Sequence, residues 1–395
     1  MSNLFKDPRA WALLAAASLT IMSNATIAPA LPGLQALFAS QPQAELLTRL
    51  LVPAPSLVVA LTAPFMGVLV DNVGRKKLLL IGTLLYALCG TAGLYLPDLY
   101  SILGSRLGLG LAVAAIMTAQ SALIGDYFSA HMRGRFIGYQ TGASHFGGLL
   151  FVTVAGLLAA HDPRAPFWIY GLAILLLPFF IKALPEFYHH RHDEKQPRNE
   201  LEGKSNGYFI VAMMAVGVLI TMLVYYVVPT QIPYHLVNRG FTHPEAAGWV
   251  LGTLMITGGI SGVLYGAMRT HLGEIVTLSS GYLLVASGFA GLALTHSIGG
   301  LGVSAGLAGA GIGFVMPAFM ATALHAASPG RRGVVAGVIT SSLFAGQFLS
   351  PLVSQPLVSR WGYNVMFLIL AGALIVTGIA LSAALMLTRS RENDH

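Results

Sequence analysis

The sequence predicts an all-α membrane protein of twelve transmembrane helices arranged as two six-helix halves, and three observations carry that prediction. Of 395 residues, 55% are hydrophobic and only 9% are charged, whereas ordinary soluble domains carry about 25% charged residues. The residues that would coat a water-facing surface are missing. A membrane-crossing helix needs about 20 mostly apolar residues, and twelve such runs occur, near 10–32, 46–70, 77–96, 99–124, 135–159, 165–184, 208–230, 245–268, 274–294, 298–323, 333–357 and 363–388. With both termini cytoplasmic, 17 of the 22 Lys and Arg residues fall in cytoplasmic segments. Only Arg49, Arg164, Arg239 and Arg360 fall on the other side, and Arg106 alone sits inside a helix. That bias is the one bacterial membrane proteins show. It accounts for the net charge of +7 by orientation in a plasma (inner) membrane, so the lipid bilayer is an expected partner and nucleic acid is not.

The elements follow in order. The first run comes after Lys6 and Arg9 but lacks a convincing cleavage site, so it reads as a retained first helix. Cys89 is the sole cysteine, which excludes an intramolecular disulfide and any cysteine-based metal site. The sizeable polar stretch 185–207 separates a bundle at 1–184 from one at 208–395. The two bundles echo each other: Gly67-Val68-Leu69 before Arg75 recurs as Gly262-Val263-Leu264 before Arg269, and Arg133-Gly134 with Gly138 recurs as Arg332-Gly333 with Gly337. Duplicated halves around a cleft are a transporter architecture, with a small-molecule substrate held near the membrane midplane.

The loop between the second and third runs reads Gly67-Val-Leu-Val-Asp71-Asn-Val-Gly74-Arg75-Lys76-Lys77. It closely resembles the loop motif of the major facilitator superfamily, and a fold of that kind is therefore expected. The resemblance implies that Asp71 docks at the start of helix 11, from Gly333 onward, and that Arg75 pairs with Asp126 at the end of helix 4. Gly67, Asp71, Gly74, Arg75 and Asp126 would then form a latch for one conformational state. Arg106-Leu-Gly-Leu-Gly110 resembles the helix 4 motif of proton-coupled members, which implies that Arg106 is buried and tied to proton transfer. The alternative is an arginine near a helix end that snorkels to the interface. The Asn24 to Pro32 ending of helix 1 and Gly346-Gln347-Phe-Leu-Ser350-Pro351 in helix 11 resemble the twelve-helix drug:proton antiporter branch. Helix 5 departs from that branch, because Phe151-Val152 stand where its Gly-Pro pair is expected.

All 15 acidic residues fall in loops or near helix ends, which favours neutral, zwitterionic or anionic substrates over strongly cationic ones. His145 in helix 5 is the remaining titratable candidate, because an unperturbed imidazole has a pKa near 6.5, and it is either a proton switch or a hydrogen-bonding link to a neighbouring helix. Asn24, Gln120, Tyr225, Tyr226, Gln231, Met316, Met320 and Gln347 are the expected cleft lining, since methionine and aromatic groups make adaptable walls. His189, His190 and His192 read as solvated linker rather than a metal site. No metal and no cofactor is expected, the proton gradient supplying the energy, and the family's usual monomer is the expected state. The combined reading is a proton-coupled exporter of small amphipathic molecules working by alternating access, and not an enzyme. A symporter or importer of one metabolite is the alternative, and a membrane-embedded enzyme or sensor is a third reading.

Overall fold

The computed structural model describes residues 6–128, 130–185, 205–328 and 331–393, and its regular elements are all helical. In lipid the backbone must satisfy its own hydrogen bonds, which a helix does within one segment. Large apolar side chains such as Phe65, Phe146, Leu175 and Val376 are exposed on the outside of the bundle, as lipid-facing residues should be.

The first half comprises α1 (Pro8–Ala25), running through a 3-10 turn at Ala28–Ala30 into α2 (Leu31–Leu37), then α3 (Ala44–Leu50), α4 (Ala54–Val73), α5 (Arg75–Thr91), α6 (Leu99–Tyr127) and α7 (Ala130–Ala159). A 3-10 segment, Ala165–Gly171, leads into α8 (Leu172–Ala183). The second half comprises α9 (Ser205–Tyr225), α10 (Val227–Asn238), α11 (Pro244–Leu272), α12 (Glu274–Leu294), α13 (Ile298–Ala326) and α14 (Arg332–Asn393).

Twelve separate runs were expected, and the helices divide differently in two places. Among the described residues, ten helices are long and apolar enough to cross a membrane, or eleven when the pair Ala44–Leu50 and Ala54–Thr62, bent by 50°, is one span. The count also treats Arg332–Leu387 as one segment of 56 residues, about 84 Å of helix at 1.5 Å per residue against a hydrocarbon core of about 30 Å. That helix is interrupted at Gly362 (φ 77°), between the eleventh and twelfth apolar runs of the sequence.

Proline sets two of the breaks within the helices. A proline lacks the N–H that would bond the carbonyl four residues earlier. Pro53 and Pro55 therefore free the carbonyls of Arg49 and Leu51 where α3 passes into α4, and Pro229 frees that of Tyr225 between α9 and α10. Gly74 (φ +95°) and Gly273 (φ +81°) hold matching positions, each ending one helix and starting the next in the corresponding turn of the two halves. A side chain other than glycine is strained at such angles.

The halves meet along two seams, α4 with α14 and α7 with α11. Along the second seam a Cβ on Gly156 would come within 3.4 Å of the Gly248 Cα, and one on Gly259 within 2.9 Å of the His145 Cβ. Further along the same helices, toward the end of the bundle that carries Arg75, a Cβ on Gly142 or Gly266 would meet nothing within 4 Å. The close glycine contacts of this seam thus lie toward the Arg49 end.

Candidate functional site

Among the described residues, residues 45–56 of the first half make a cluster of hydrogen bonds to the second half. Arg49 Nε donates to Gln231 Oε1 at 3.0 Å, and Tyr234 donates to Thr48 Oγ1 at 2.9 Å. Gln355 Nε2 donates to Glu45 Oε1 at 2.7 Å, and Ser56 donates to Gln347 Oε1 at 2.7 Å. The Arg49 guanidinium also lies 4.0 Å from the centre of the Tyr234 ring. Ser56 with Gln347 on one seam and His145 against Gly259 on the other are the innermost of these contacts. Between them lies the apex of the contact between the halves.

Behind the apex, on the Arg49 side, sits Arg106, eight residues into α6 and fully buried. Its position near a helix end allowed snorkelling to the interface, and the structure rules that out. Nη2 donates to the Ser23 carbonyl at 2.8 Å and to the Tyr170 hydroxyl at 2.6 Å, while Nε donates to the Leu51 carbonyl at 3.3 Å. That carbonyl is the one Pro55 leaves without a helical donor. The Tyr170 hydroxyl itself donates to Ser23, and its ring lies 4.7 Å beneath the guanidinium. One turn on, a Cβ at Gly110 would lie 2.4 Å from the Pro55 carbonyl, so only glycine lets α6 reach the bent helix. The Arg-x-x-x-Gly string is therefore the grip of α6 on the α3–α4 break. Every hydrogen-bond partner of the Arg106 guanidinium is uncharged, and Nη1 is buried without one. The charge thus stays uncompensated in a medium where isolated charge is costly.

The expected site residues are distributed as follows. Asn24 is half-buried beside Ser23, whose hydroxyl reaches its Oδ1 at 3.4 Å. Tyr225 is half-buried and Tyr226 buried at the α9–α10 break, with Tyr226 in electrostatic reach of Arg106 and Tyr170. Met316 and Met320 are half-buried on α13. Gln120 is buried and donates to the Leu13 carbonyl at 2.8 Å, so it ties α6 to α1. Gln231 and Gln347 lie in the contacts between halves rather than on an open wall. His145 hydrogen-bonds to the Met255 backbone on α11 while its Nδ1 is buried without a partner. Its neighbours come from α11, those of Arg106 from α1, α3 and the segment before α8, and no contact joins the two among the described residues.

At the Arg75 end, Arg75 forms an ion pair with Asp126, whose carboxylate is mostly buried. Gly67 and Gly74 have open space around them. The side chain of Asp71, and residues 186–204 with His189, His190 and His192, lie outside the described residues.

Arg49 is the functional candidate that sequence reasoning missed. Placed at a helix end beside Glu45, it reads as one of four basic residues on the far side, yet its side chain is 3% exposed. Pro53 and Pro55, four and six residues on, are the signal that marks its surroundings as a broken helix rather than a surface loop.

Two helical halves packed against each other around buried polar groups are a transporter architecture. The chain belongs to the Major Facilitator Superfamily, whose family model matches residues 13–243 and 214–395. Among its relatives, the Niacin transporter NiaP of Acinetobacter baylyi is 32% identical over 129 residues, 32% of this chain and 29% of that protein. The 3-(3-hydroxy-phenyl)propionate transporter of Escherichia coli is 26% identical over 306 residues, 72% of this chain and 73% of that one. Quinolone resistance protein NorA of Staphylococcus aureus is 27% identical over 135 residues, 34% of each. The first and third matches thus span about a third of those relatives. Two solved structures share the fold: the human organic anion transporter MFSD10 (TM-score 0.69, 17% identity) and the nucleoside transporter NupG (TM-score 0.71, 14% identity), each match covering 95% of this chain and 99% of the other.

Proposed function

We propose that this transporter moves small organic anions, aromatic carboxylates foremost, by proton-coupled rocking of residues 1–184 against 208–395. The observation that supports this reading is the Arg106 guanidinium, buried with uncharged partners and one spare donor. A carboxylate arriving at the cleft apex compensates that charge, and a proton does not. The anion then acts at Arg106 and the proton at His145, and the rocking of the two halves couples them. Tyr225, Tyr226, Met316 and Met320 supply an aromatic and thioether wall for the ring of such a substrate. Two of the relatives are named for aromatic acids, niacin and a hydroxyphenylpropionate, and the second match runs along most of both chains.

With the Arg75 end facing the cytoplasm of a bacterial cell, as the basic residues favour, the closed Arg49 end makes this the inward-open state. Gly67, Asp71, Gly74, Arg75 and Asp126 then latch the opposite state, and His145, at the hinge between α7 and α11, takes or releases the coupled proton. The protein works as a monomer, without a cofactor. A second reading, export of amphipathic drugs, is favoured by the NorA match and by the methionines on α13.

Counterflow in proteoliposomes separates the two. Exchange of labelled nicotinate or 3-(3-hydroxyphenyl)propionate above the protein-free background, without exchange of the cation ethidium, is the expected result. Exchange of ethidium alone would establish the drug reading.

A further inference from the structure

The contact between halves at α3 contains a carboxylate held in a way that a free acid could improve. Glu45 and Arg49 are one turn apart on the same helix, but their exposures are opposite, 56% for the Glu45 side chain and 3% for that of Arg49. Glu45 Oε1 lies 3.3 Å from Arg49 Nη2 and accepts from Gln355 Nε2 at 2.7 Å. Both donors thus converge on one oxygen. The remaining guanidinium bonds go to neutral oxygens: Gln231 at 3.0 Å, the Glu45 backbone at 2.8 Å, Gln35 at 3.3 Å and the Tyr363 hydroxyl at 3.5 Å. A guanidinium favours a carboxylate presented face-on through two parallel bonds. Glu45 presents a single oxygen to it.

A concavity of about 520 Å³ opens beside this cluster, lined by Pro32, Gln35, Gln41, Glu45 and Tyr234 among others. Its size is in the range of small-molecule sites. Tyr234 is shared between the two features, since its ring lies under the Arg49 guanidinium and the residue also lines the concavity.

We propose that Arg49, Gln355 and Tyr363 form a carboxylate-binding site at the mouth of the transport path, in which the Glu45 carboxylate is a tethered occupant that a free aromatic acid replaces. The proposal rests on the reading of the substrate as an organic anion. The ring of the acid lies in the concavity against Tyr234, and Glu45, already half-exposed, swings into water. Replacement exchanges the Glu45–Gln355 tie between the halves for a bridge through the free acid, from Arg49 of the first half to Gln355 of the second. A tethered competitor lowers the apparent affinity of a free ligand by the fraction of time it holds the site. An occupant present nine-tenths of the time lowers it about tenfold.

Calorimetric titration of the purified full-length protein with benzoate tests this, in the presence of Arg106 and in an Arg106→Gln background that removes the apex site. Glu45→Gln and Glu45→Ala are compared with Glu45 intact; the second variant guards against the new carboxamide remaking the bond to Gln355. The expected result is about tenfold tighter benzoate binding in both variants, kept in the Arg106→Gln background and lost on adding Arg49→Gln. Unchanged affinity in both Glu45 variants, or a gain that survives Arg49→Gln, would overturn the proposal. An equal gain for chloride would overturn its assignment to carboxylates. A failure of anion transport through Arg106 leaves this binding result readable by itself, so the two readings fail separately.

Discussion

Arg106 donates its Nε–H to the Leu51 carbonyl at 3.3 Å, a carbonyl left without a helical donor by Pro55, and so joins the buried charge of α6 to the break in the neighbouring helix. Two residues before that carbonyl stands Arg49, the hub of the contacts that close the far end. A change at the buried guanidinium therefore acts on α3 through a path of three residues. The side chains of the two arginines face different halves, and the short segment between them is what both hold.

Replacing Arg106 by lysine tests whether charge or geometry is needed. The guanidinium reaches acceptors on α1, at the α3–α4 break and on Tyr170 at once, and a single ammonium nitrogen cannot span them. Arg106→Lys is expected to express and insert normally while losing roughly nine-tenths or more of exchange activity, a loss of about 1.4 kcal/mol or more in transition-state terms. Wild-type exchange rates in the lysine variant would show that charge alone suffices.

Pro55→Ala gives the Leu51 carbonyl a helical donor. The new bond competes with Arg106 and straightens α3 into α4, with a net gain of roughly 0.5–1.5 kcal/mol for the bond. The variant is expected to melt no lower than the parent in detergent but to exchange substrate several-fold more slowly. Unaltered exchange would mean that the bend plays no part in transport.

Gly110 and Gly104 lie on the same helix and make a paired test. A Cβ at Gly110 would sit 2.4 Å from the Pro55 carbonyl, whereas one at Gly104 meets nothing within 4 Å. Gly110→Ala is expected to destabilise by about 1–3 kcal/mol through forced separation of the helices. Gly104→Ala should be neutral or stabilising by about 0.5–1 kcal/mol from helix propensity. Thermal unfolding of the two variants side by side gives the answer, and equal melting temperatures would contradict the packing described.

The Arg75–Asp126 ion pair has one partner mostly buried, so removing either charge leaves the other uncompensated. Arg75→Gln and Asp126→Asn are each expected to slow exchange while sparing expression, and the reversed pair Arg75→Asp with Asp126→Arg to recover part of the rate. Additive losses in the reversed pair would mean that the two residues act independently.

Much of this architecture is legible in the sequence because lipid leaves few choices. Apolar runs about 20 residues long, a Lys and Arg bias and the repeated Gly-Val-Leu before Arg75 and Arg269 suffice for two helical halves. The string from Gly67 to Lys77 is local, and so is Arg106 with Gly110. The contacts at Arg49 are of another kind. Gln231, Gln355 and Tyr363 lie far along the chain, and nothing within the α3 segment names them. The i, i+4 pair of Glu45 and Arg49 looks like an ordinary surface ion pair, and only the packing of α10 and α14 against it turns it into a buried joint. His145 was legible as a polar residue in a helix, but its facing depends on the glycines of α11, Gly258 and Gly259, which admit its ring.

The most direct test of the account is uptake of labelled 3-(3-hydroxyphenyl)propionate into proteoliposomes under an imposed pH gradient, with the intact protein and with Arg106→Gln. The account predicts gradient-driven accumulation in the intact protein and only the protein-free background in the variant. Equal accumulation in the two would contradict it, since the buried guanidinium would then have no part in moving the anion.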